Sequence, residues 1–388
     1  VAHQVLEAVT EGAYASDALL EQSIRLCSRD AGLAGQIVFG SLRFQAQLDF
    51  LVQTYSGRSP QSLDPPVLIA LRSAIFQLRY LDRIPPHAAV HDAVEYVKHR
   101  QRAASRLVNA VLRKVNRTPV TWPDEATELS CPAWLLDRWH AHFGDNMARA
   151  IAETALKEPE SYIRVPPGQP PPPDFNLEST DVPGCFHILA APGGGLPEGI
   201  RLHDIGSQSV ISLLDLQPGQ TYLDLCAAPG NKTLQALETP LQLAIACDIR
   251  LRRARQIPSV VPRVVLDAAQ PLPFCRKFDR IFVDAPCSGT GTLARNPEIK
   301  WRVQAADLTR FRAKQVEILK QAVSVLAPDG RLLYATCSLE PEENEDVIAA
   351  VLGWEPRLRL LMDRWRLPGR DPGDGFYAAV FQFAPAQS

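Results

Sequence analysis

The spacing of apolar residues changes near residue 205, and that change divides the chain into two fold classes. Before it, apolar positions recur at helix spacing. In PPVLIALRSAIFQLRYL, Val67, Leu68, Leu71, Ile75 and Leu78 share one face behind a Pro-Pro start. RLVNAVLRKV repeats the pattern with Leu107, Val108, Val111, Leu112 and Val115. No strand pattern interrupts these runs, which predicts an all-helical domain over residues 1–145.

After residue 205, short and nearly continuous apolar runs take over: TYLDL (221–225), LAIACD (243–248), RVVLDA (263–268), RIFVDA (280–285), GRLLYATC (330–337) and FYAAVFQF (376–383). Helices fall between them. Leu308, Phe311, Val316, Leu319, Val323 and Leu326 line one helical face, and ENEDVIAAVL (343–352) reads as another helix. Buried strands alternating with helices specify an α/β fold, a mostly parallel, doubly wound sheet of Rossmann-like type over 206–388. The last strand, after Gly-Asp-Gly, is expected as an antiparallel edge. Between the two domains, SYIRV reads as a short strand, while PPGQPPPPDFN and PGGGLPEG are too rich in Pro and Gly for regular structure. Residues 146–205 are therefore expected to form a linker and a small α/β subdomain.

Several function classes drop out at once. No run approaches the roughly 18 apolar residues of a membrane span. The opening VAHQVLEAVTEG lacks the basic and apolar regions of a signal peptide. The eight cysteines include no C-x-x-C pair, so reduced thiols in the cytoplasm are expected. His87 and His91 sit in HAAVH, which lacks the glutamate of a zinc-protease helix; no metal is expected. The net charge of −2 is neutral on a polyanion, but its distribution is not. Residues 98–117 carry Lys98, Arg100, Arg102, Arg106, Arg113, Lys114 and Arg117 without an acid, and further basic residues cluster at 250–255 and at Arg295, Lys300 and Arg302. Such runs suit a phosphate backbone.

The first strand of the second domain runs into DLCAAPGNKT (224–233), a turn of small residues that lets a ligand approach the backbone. It is neither G-x-G-x-x-G nor a phosphate loop, because Asn231 stands where the latter needs glycine before lysine. Asp224, Asp248, Asp267 and Asp284 each close one of four successive strands. Acids in that register suit ribose and adenine without a pyrophosphate, which points to S-adenosylmethionine.

Two cysteines also stand just past strand ends, Cys287 in DAPCSGTG and Cys337 in YATCS. Carbon 5 of cytosine is a poor nucleophile until something adds to carbon 6, and a thiolate is well suited to that addition. One sulfur could attack and the other assist release; residue chemistry alone leaves open which does which. Asp284, three residues from Cys287, could support protonation of the ring nitrogen.

With these motifs in place, the chain resembles the Sun/RsmB family of RNA 5-methylcytosine methyltransferases. LRFQAQLDFLV, RIPPHAAVHDAVE and LVNAVLRKV are similar to its NusB-like helical part, and HDIGSQSV, DLCAAPGNKT, DAPCSGTG, RNPEIKW, YATCSLEPEENE and GDGFYAAVF to its catalytic part. The resemblance implies that Cys337 is the nucleophile and that Cys287 promotes product release. It places S-adenosylmethionine against Cys226, Ala227, Ala228, Pro229, Gly230, Asn231 and Lys232, with Asp248, Asp267 and Asp284 as further contacts. The family usually has glycine where Asn231 stands; asparagine tolerates left-handed backbone angles, so the turn is expected to persist. The stretch between Asp248 and Asp267 is short, so its helix should be abbreviated. A monomer acting on small-subunit ribosomal RNA is the expectation. A tRNA or protein substrate, or an RNA-binding assembly factor without catalysis, stays open.

Overall fold

The structure, a computed structural model, describes residues 1–385; the last three residues of the expected catalytic domain lie outside them. The chain forms two units, Val1–Glu158 with Leu293–Arg302, and Pro159–Thr292 with Val303–Ser388.

The first unit is helical. Its core packs Val67, Leu71 and Ile75 of helix Pro65–Tyr80 against Val108, Val111 and Leu112 of helix Ser105–Leu112. Leu68, Leu78, Leu107 and Val115 are partly buried around them. Helix Ser28–Arg43 approaches closely through Gly40, where a β-carbon would sit 1.9 Å from the Phe76 ring. The helical unit runs past the expected boundary at 145, because helix Ala133–Phe143 is followed at once by Asp145–Thr154.

A second departure is more informative. The RNPEIKW segment, assigned by resemblance to the catalytic part, folds with the helical unit. The reason lies in three helix ends. Lys300 Nζ donates to the Arg43 carbonyl at 2.8 Å and Trp301 Nε1 to the Leu42 carbonyl at 2.7 Å, satisfying the C-terminus of helix Ser28–Arg43. Arg302 Nη2 donates to the Val9 carbonyl at 2.8 Å, near the end of helix Ala2–Thr10. Glu298 Oε1 accepts from the Ala15 N–H at 3.0 Å, at the start of helix Ala15–Ser23. Cations thus meet carbonyl ends and the carboxylate an N–H end, as the helix dipole favours.

The second unit holds two sheets. The smaller is antiparallel, in the order β2-β3-β1-β4, from β1 (Tyr162–Arg164), β2 (Asn176–Ser179), β3 (Cys185–Ala190) and β4 (Arg201–Leu202). The larger contains β5 (Thr221–Asp224), β6 (Leu243–Asp248), β7 (Arg263–Val265), β8 (Phe278–Asp284), β9 (Leu326–Thr336), β10 (Leu358–Arg366) and β11 (Phe376–Phe383), in the order β10-β11-β9-β8-β5-β6-β7. From β9 to β7 the pairing is parallel; β11 runs antiparallel to both its neighbours. The last strand was expected at the edge, but β10 takes that place. Its sequence, LRLLMDRWR, is largely solvent-facing and too charged to read as a buried run. The abbreviated helix between Asp248 and Asp267 is a single turn, Leu251–Ala254.

Burial lowers the Lys300 ammonium to about 7. In the unfolded chain it titrates near 10.4, so the unfolded state binds more protons between these values and stability rises with pH there. The unfolding free energy of the wild type, measured by denaturant titration against Lys300→Met, is expected to gain on the variant from pH 7 to pH 10. A constant difference would contradict this.

Candidate active site

The parallel strands place their carboxyl ends along one edge of the sheet. Chain order reverses between β5 and β8, since β6 and β7 lie to one side and β9 to the other. Such a switch point is where open α/β sheets bind ligands. Asp224 and Asp284 flank it.

Asp224 is fully buried. Its Oδ2 accepts from Thr233 Oγ1 at 2.7 Å and from the Tyr222 hydroxyl at 3.3 Å, which ties the start of helix Asn231–Ala236 back to the strand. Burial raises the carboxyl to about 7, with the charge of Asp284 adding to it and the Thr233 bond opposing. Its Oδ1 has no hydrogen-bond partner among the described residues. A buried acceptor without a donor at the switch point suits a ligand carrying an ammonium.

The loop between β5 and that helix is built for close approach. Ala227 N–H donates to the Cys247 carbonyl at 2.8 Å, and Arg253 Nη2 to the Ala228 carbonyl at 2.9 Å. The Ala228–Pro229 peptide is cis. Gly230 has φ +108°, and a β-carbon there would meet Pro258 Cδ at 2.6 Å. The left-handed position is therefore Gly230, not Asn231. Asn231 opens the helix and donates from Nδ2 to the Leu202 carbonyl at 3.3 Å. Cys226 is half-buried, and desolvation of its sulfur raises the thiol well above the ordinary range.

The remaining acids hold their strand ends. Asp248 Oδ1 accepts from the Arg250 N–H at 3.0 Å, with Arg253 Nε 3.8 Å from Oδ2. Asp267 Oδ1 accepts from the Ala269 N–H at 3.1 Å. Lys232, expected along the cofactor, instead places Nζ 2.7 Å from Asp284 Oδ2 and 5.0 Å from the Phe376 ring centre. Burial opposes its charge, but Asp284 outweighs burial and the ammonium stays above its ordinary value.

Beside this pair the two cysteines meet: Cys287 Sγ lies 3.4 Å from Cys337 Sγ. The hydrogen bond with Cys337, then burial, then the negative charges of Cys337, Glu343 and Asp284 raise the Cys287 thiol well above its ordinary value. Glycines let the surrounding loops close in. Gly291 N–H donates to the Cys337 carbonyl and Gly375 N–H to the Gly291 carbonyl, both at 2.8 Å. A β-carbon on Gly291 would sit 2.6 Å from the Gly375 carbonyl oxygen. Sequence reasoning missed the Lys232–Asp284 pair and the buried Glu343 behind the cysteines. A signal for the latter existed, because both cysteines are followed by serine, as Cys287-Ser288 and Cys337-Ser338.

A Rossmann-like sheet with a small-residue loop at its switch point and paired thiols beside it defines a methyltransferase catalytic unit. The model of the family described as 16S rRNA methyltransferase RsmB/F matches residues 211–382, and that of the NusB family matches residues 1–117. The chain is 31% identical to the ribosomal RNA small subunit methyltransferase B of Cronobacter sakazakii, over 98% of this chain and 97% of that one. It is equally identical to the Salmonella typhi protein of the same name, over 98% and 97%. In fold it is similar to PH0851, with a TM-score of 0.80 at 22% identity over 95% and 93% of the two chains. It is also similar to NSun6 from Pyrococcus horikoshii, solved with SFG, with a TM-score of 0.57 at 16% identity over 66% and 98%. The chain belongs to the RsmB/F family of 16S rRNA methyltransferases, and it is an RNA methyltransferase that acts on ribosomal RNA.

Gly230→Ala is expected to cost about 1–3 kcal/mol through overpacking against Pro258 and left-handed strain. It should also weaken S-adenosylmethionine binding. Thermal melts with and without the cofactor check both, and an unchanged melt would show that the loop has room.

Proposed function

We propose that this enzyme methylates carbon 5 of cytosine in small-subunit ribosomal RNA through a covalent adduct between Cys337 and carbon 6. The observation that carries the reading is the 3.4 Å separation of the two sulfurs beside the Lys232–Asp284 pair. The methyl donor is S-adenosylmethionine, which brings an electrophilic methyl group to the site. Cys226, Ala227, Ala228, Pro229, Gly230 and Asn231 would hold it through the loop, with Asp248 and Asp267 beside it.

Cys337 attacks as thiolate. The charge it gains lies near the Lys232 ammonium, whose own elevation owes part to Cys337. Asp284 holds Lys232 through Oδ2, and the pair would steady the proton that the base takes up on attack. Adduct formation makes carbon 5 nucleophilic. After methylation, carbon 5 gives its proton to solvent, the freed electron pair restores the double bond between carbons 5 and 6, and the Cys337–carbon 6 bond breaks. Cys287, held as a neutral thiol, is placed to protonate the departing sulfur. This supports the division of labour that the resemblance implies.

The base must leave its stack to reach these groups. The basic run at 98–117 contributes less free charge than its sequence suggests. Lys98 pairs with Glu95, Arg100 with Glu7 and Arg117 with Asp82.

In cells, Cys287→Ala is expected to accumulate a protein band shifted on denaturing gels by nuclease-sensitive RNA, and adding Cys337→Ala should abolish it. An adduct trapped by Cys337→Ala alone, and not by Cys287→Ala, would reverse the roles, and no adduct with unmethylated RNA would favour a binding factor. Methyl incorporation into 16S rRNA compared with tRNA tests the substrate.

A further inference from the structure

The serine after each cysteine reaches the same carboxylate. Ser288 donates its N–H to Glu343 Oε1 at 2.8 Å and its hydroxyl to Oε2. Ser338 donates its hydroxyl to Oε2 as well, and the two serine oxygens lie 3.0 Å apart. Gln315 Nε2 completes the set, 3.0 Å from Glu343 Oε1 and 3.0 Å from the carbonyl of Pro286, the residue before Cys287. Glu343 is 0% exposed. No Lys or Arg among the described residues pairs with it; neutral donors alone satisfy it. Burial raises its pKa while the serine bonds pull it back.

A buried carboxylate without a cation is a costly way to fill space, and an apolar residue of similar volume is often as stable or more so. What an apolar residue cannot do is bind two loops at once in fixed geometry. We propose that Glu343 is a positioning residue of the methyl-transfer site, fastening the Cys287 and Cys337 loops together behind the sulfurs and setting their separation. The inference rests on the reading of the two cysteines as the reacting pair. Glu343 is buried behind them, so its effect on the reaction passes through the two serines.

The test uses the full chain and two readouts. The first is the rate at which diamide converts Cys287 and Cys337 to a disulfide, the two thiol hydrogens passing to the oxidant; it reports sulfur separation without RNA. The second is the split of kcat from KM for ribosomal RNA. Glu343→Gln keeps an oxygen for the Ser288 N–H and for Gln315, and its amide can donate to both serine oxygens. It is expected to stay within about fivefold of wild type in both readouts. Glu343→Ala and Ser338→Ala should slow disulfide formation and lower kcat by about tenfold or more, with KM unchanged, as loss of alignment does. Should Glu343→Ala fail to fold, Ser338→Ala and Ser288→Ala carry the test. Disulfide rates and kcat within twofold of wild type in the alanine variants would overturn the proposal. A wild type that forms the disulfide but methylates no cytosine at carbon 5 would instead overturn the parent reading and leave only the tether.

Discussion

Parallel pairing of β8 with β9 decides where both sulfurs can be. Val283 lies opposite Tyr334 and Asp284 opposite Ala335, with Phe282, Val283, Tyr334 and Ala335 all buried. Because both strands are covered, a slip of one residue would turn every apolar side chain to the wrong face. That register ends β8 at Asp284 and β9 at Thr336, one residue past Ala335, the partner of Asp284. Three residues beyond the first and one beyond the second, the chain reaches Cys287 and Cys337. The spacing of the sulfurs is thus inherited from apolar packing of the strands and then refined by polar contacts of the loops.

The electrostatics of the site follow from the same edge. Asp224 and Asp284 end neighbouring strands, and the charge of Asp284 adds to burial in disfavouring that of Asp224. The structure resolves the conflict by giving them different partners. Lys232 neutralises Asp284, while Asp224 is left with hydroxyl donors and drifts toward neutrality near pH 7. The cysteines divide in a similar way. The hydrogen bond with Cys337, burial and flanking negative charge all hold the proton on Cys287. A single ammonium therefore serves the acid at the end of β8 and lies near the Cys337 sulfur beyond β9.

What the sequence made legible were features that repeat or that chemistry forces into view. Strand ends carrying Asp224, Asp248 and Asp284 could be found because buried parallel strands are apolar runs with a sharp polar stop, whereas Asp267 lies two residues past β7, a three-residue and largely exposed edge strand. Cys287 and Cys337 could be found because each lies just past such a stop. The partners escaped because they come from elsewhere in the chain. Lys232 sits 52 residues from Asp284, and nothing in NKT distinguishes a lysine that faces a ligand from one that faces a carboxylate. Glu343 lies in an acidic stretch, EPEENE, that reads as solvated although Glu340, Glu343 and Asn344 are fully buried. Strand β10 escaped for the opposite reason, since an edge strand exposes charged residues. The decapeptide at 293–302 was misplaced because helix capping acts over long sequence separations, and resemblance by motif does not report which unit a motif packs in.

That decapeptide also explains why the Cys287 loop is so heavily fastened. Only five residues after Cys287 the chain passes into a segment that folds with the helical unit. Thr292 is the last residue of the second unit before that segment. The last residues before the crossing are locked to the second unit in succession. Thr290 Oγ1 accepts from the Leu339 N–H at 2.9 Å, Gly291 is held between Cys337 and Gly375, and Thr292 N–H donates to the Gly289 carbonyl at 2.9 Å. These contacts anchor the loop to the segment after β9 that carries Cys337, to Gly375 just before β11, and to itself. Sulfur spacing tolerates displacements of well under 1 Å before reaction rates fall steeply. A loop with a connection this short needs its fixed point between the sulfur and the crossing, and residues 290–292 provide it.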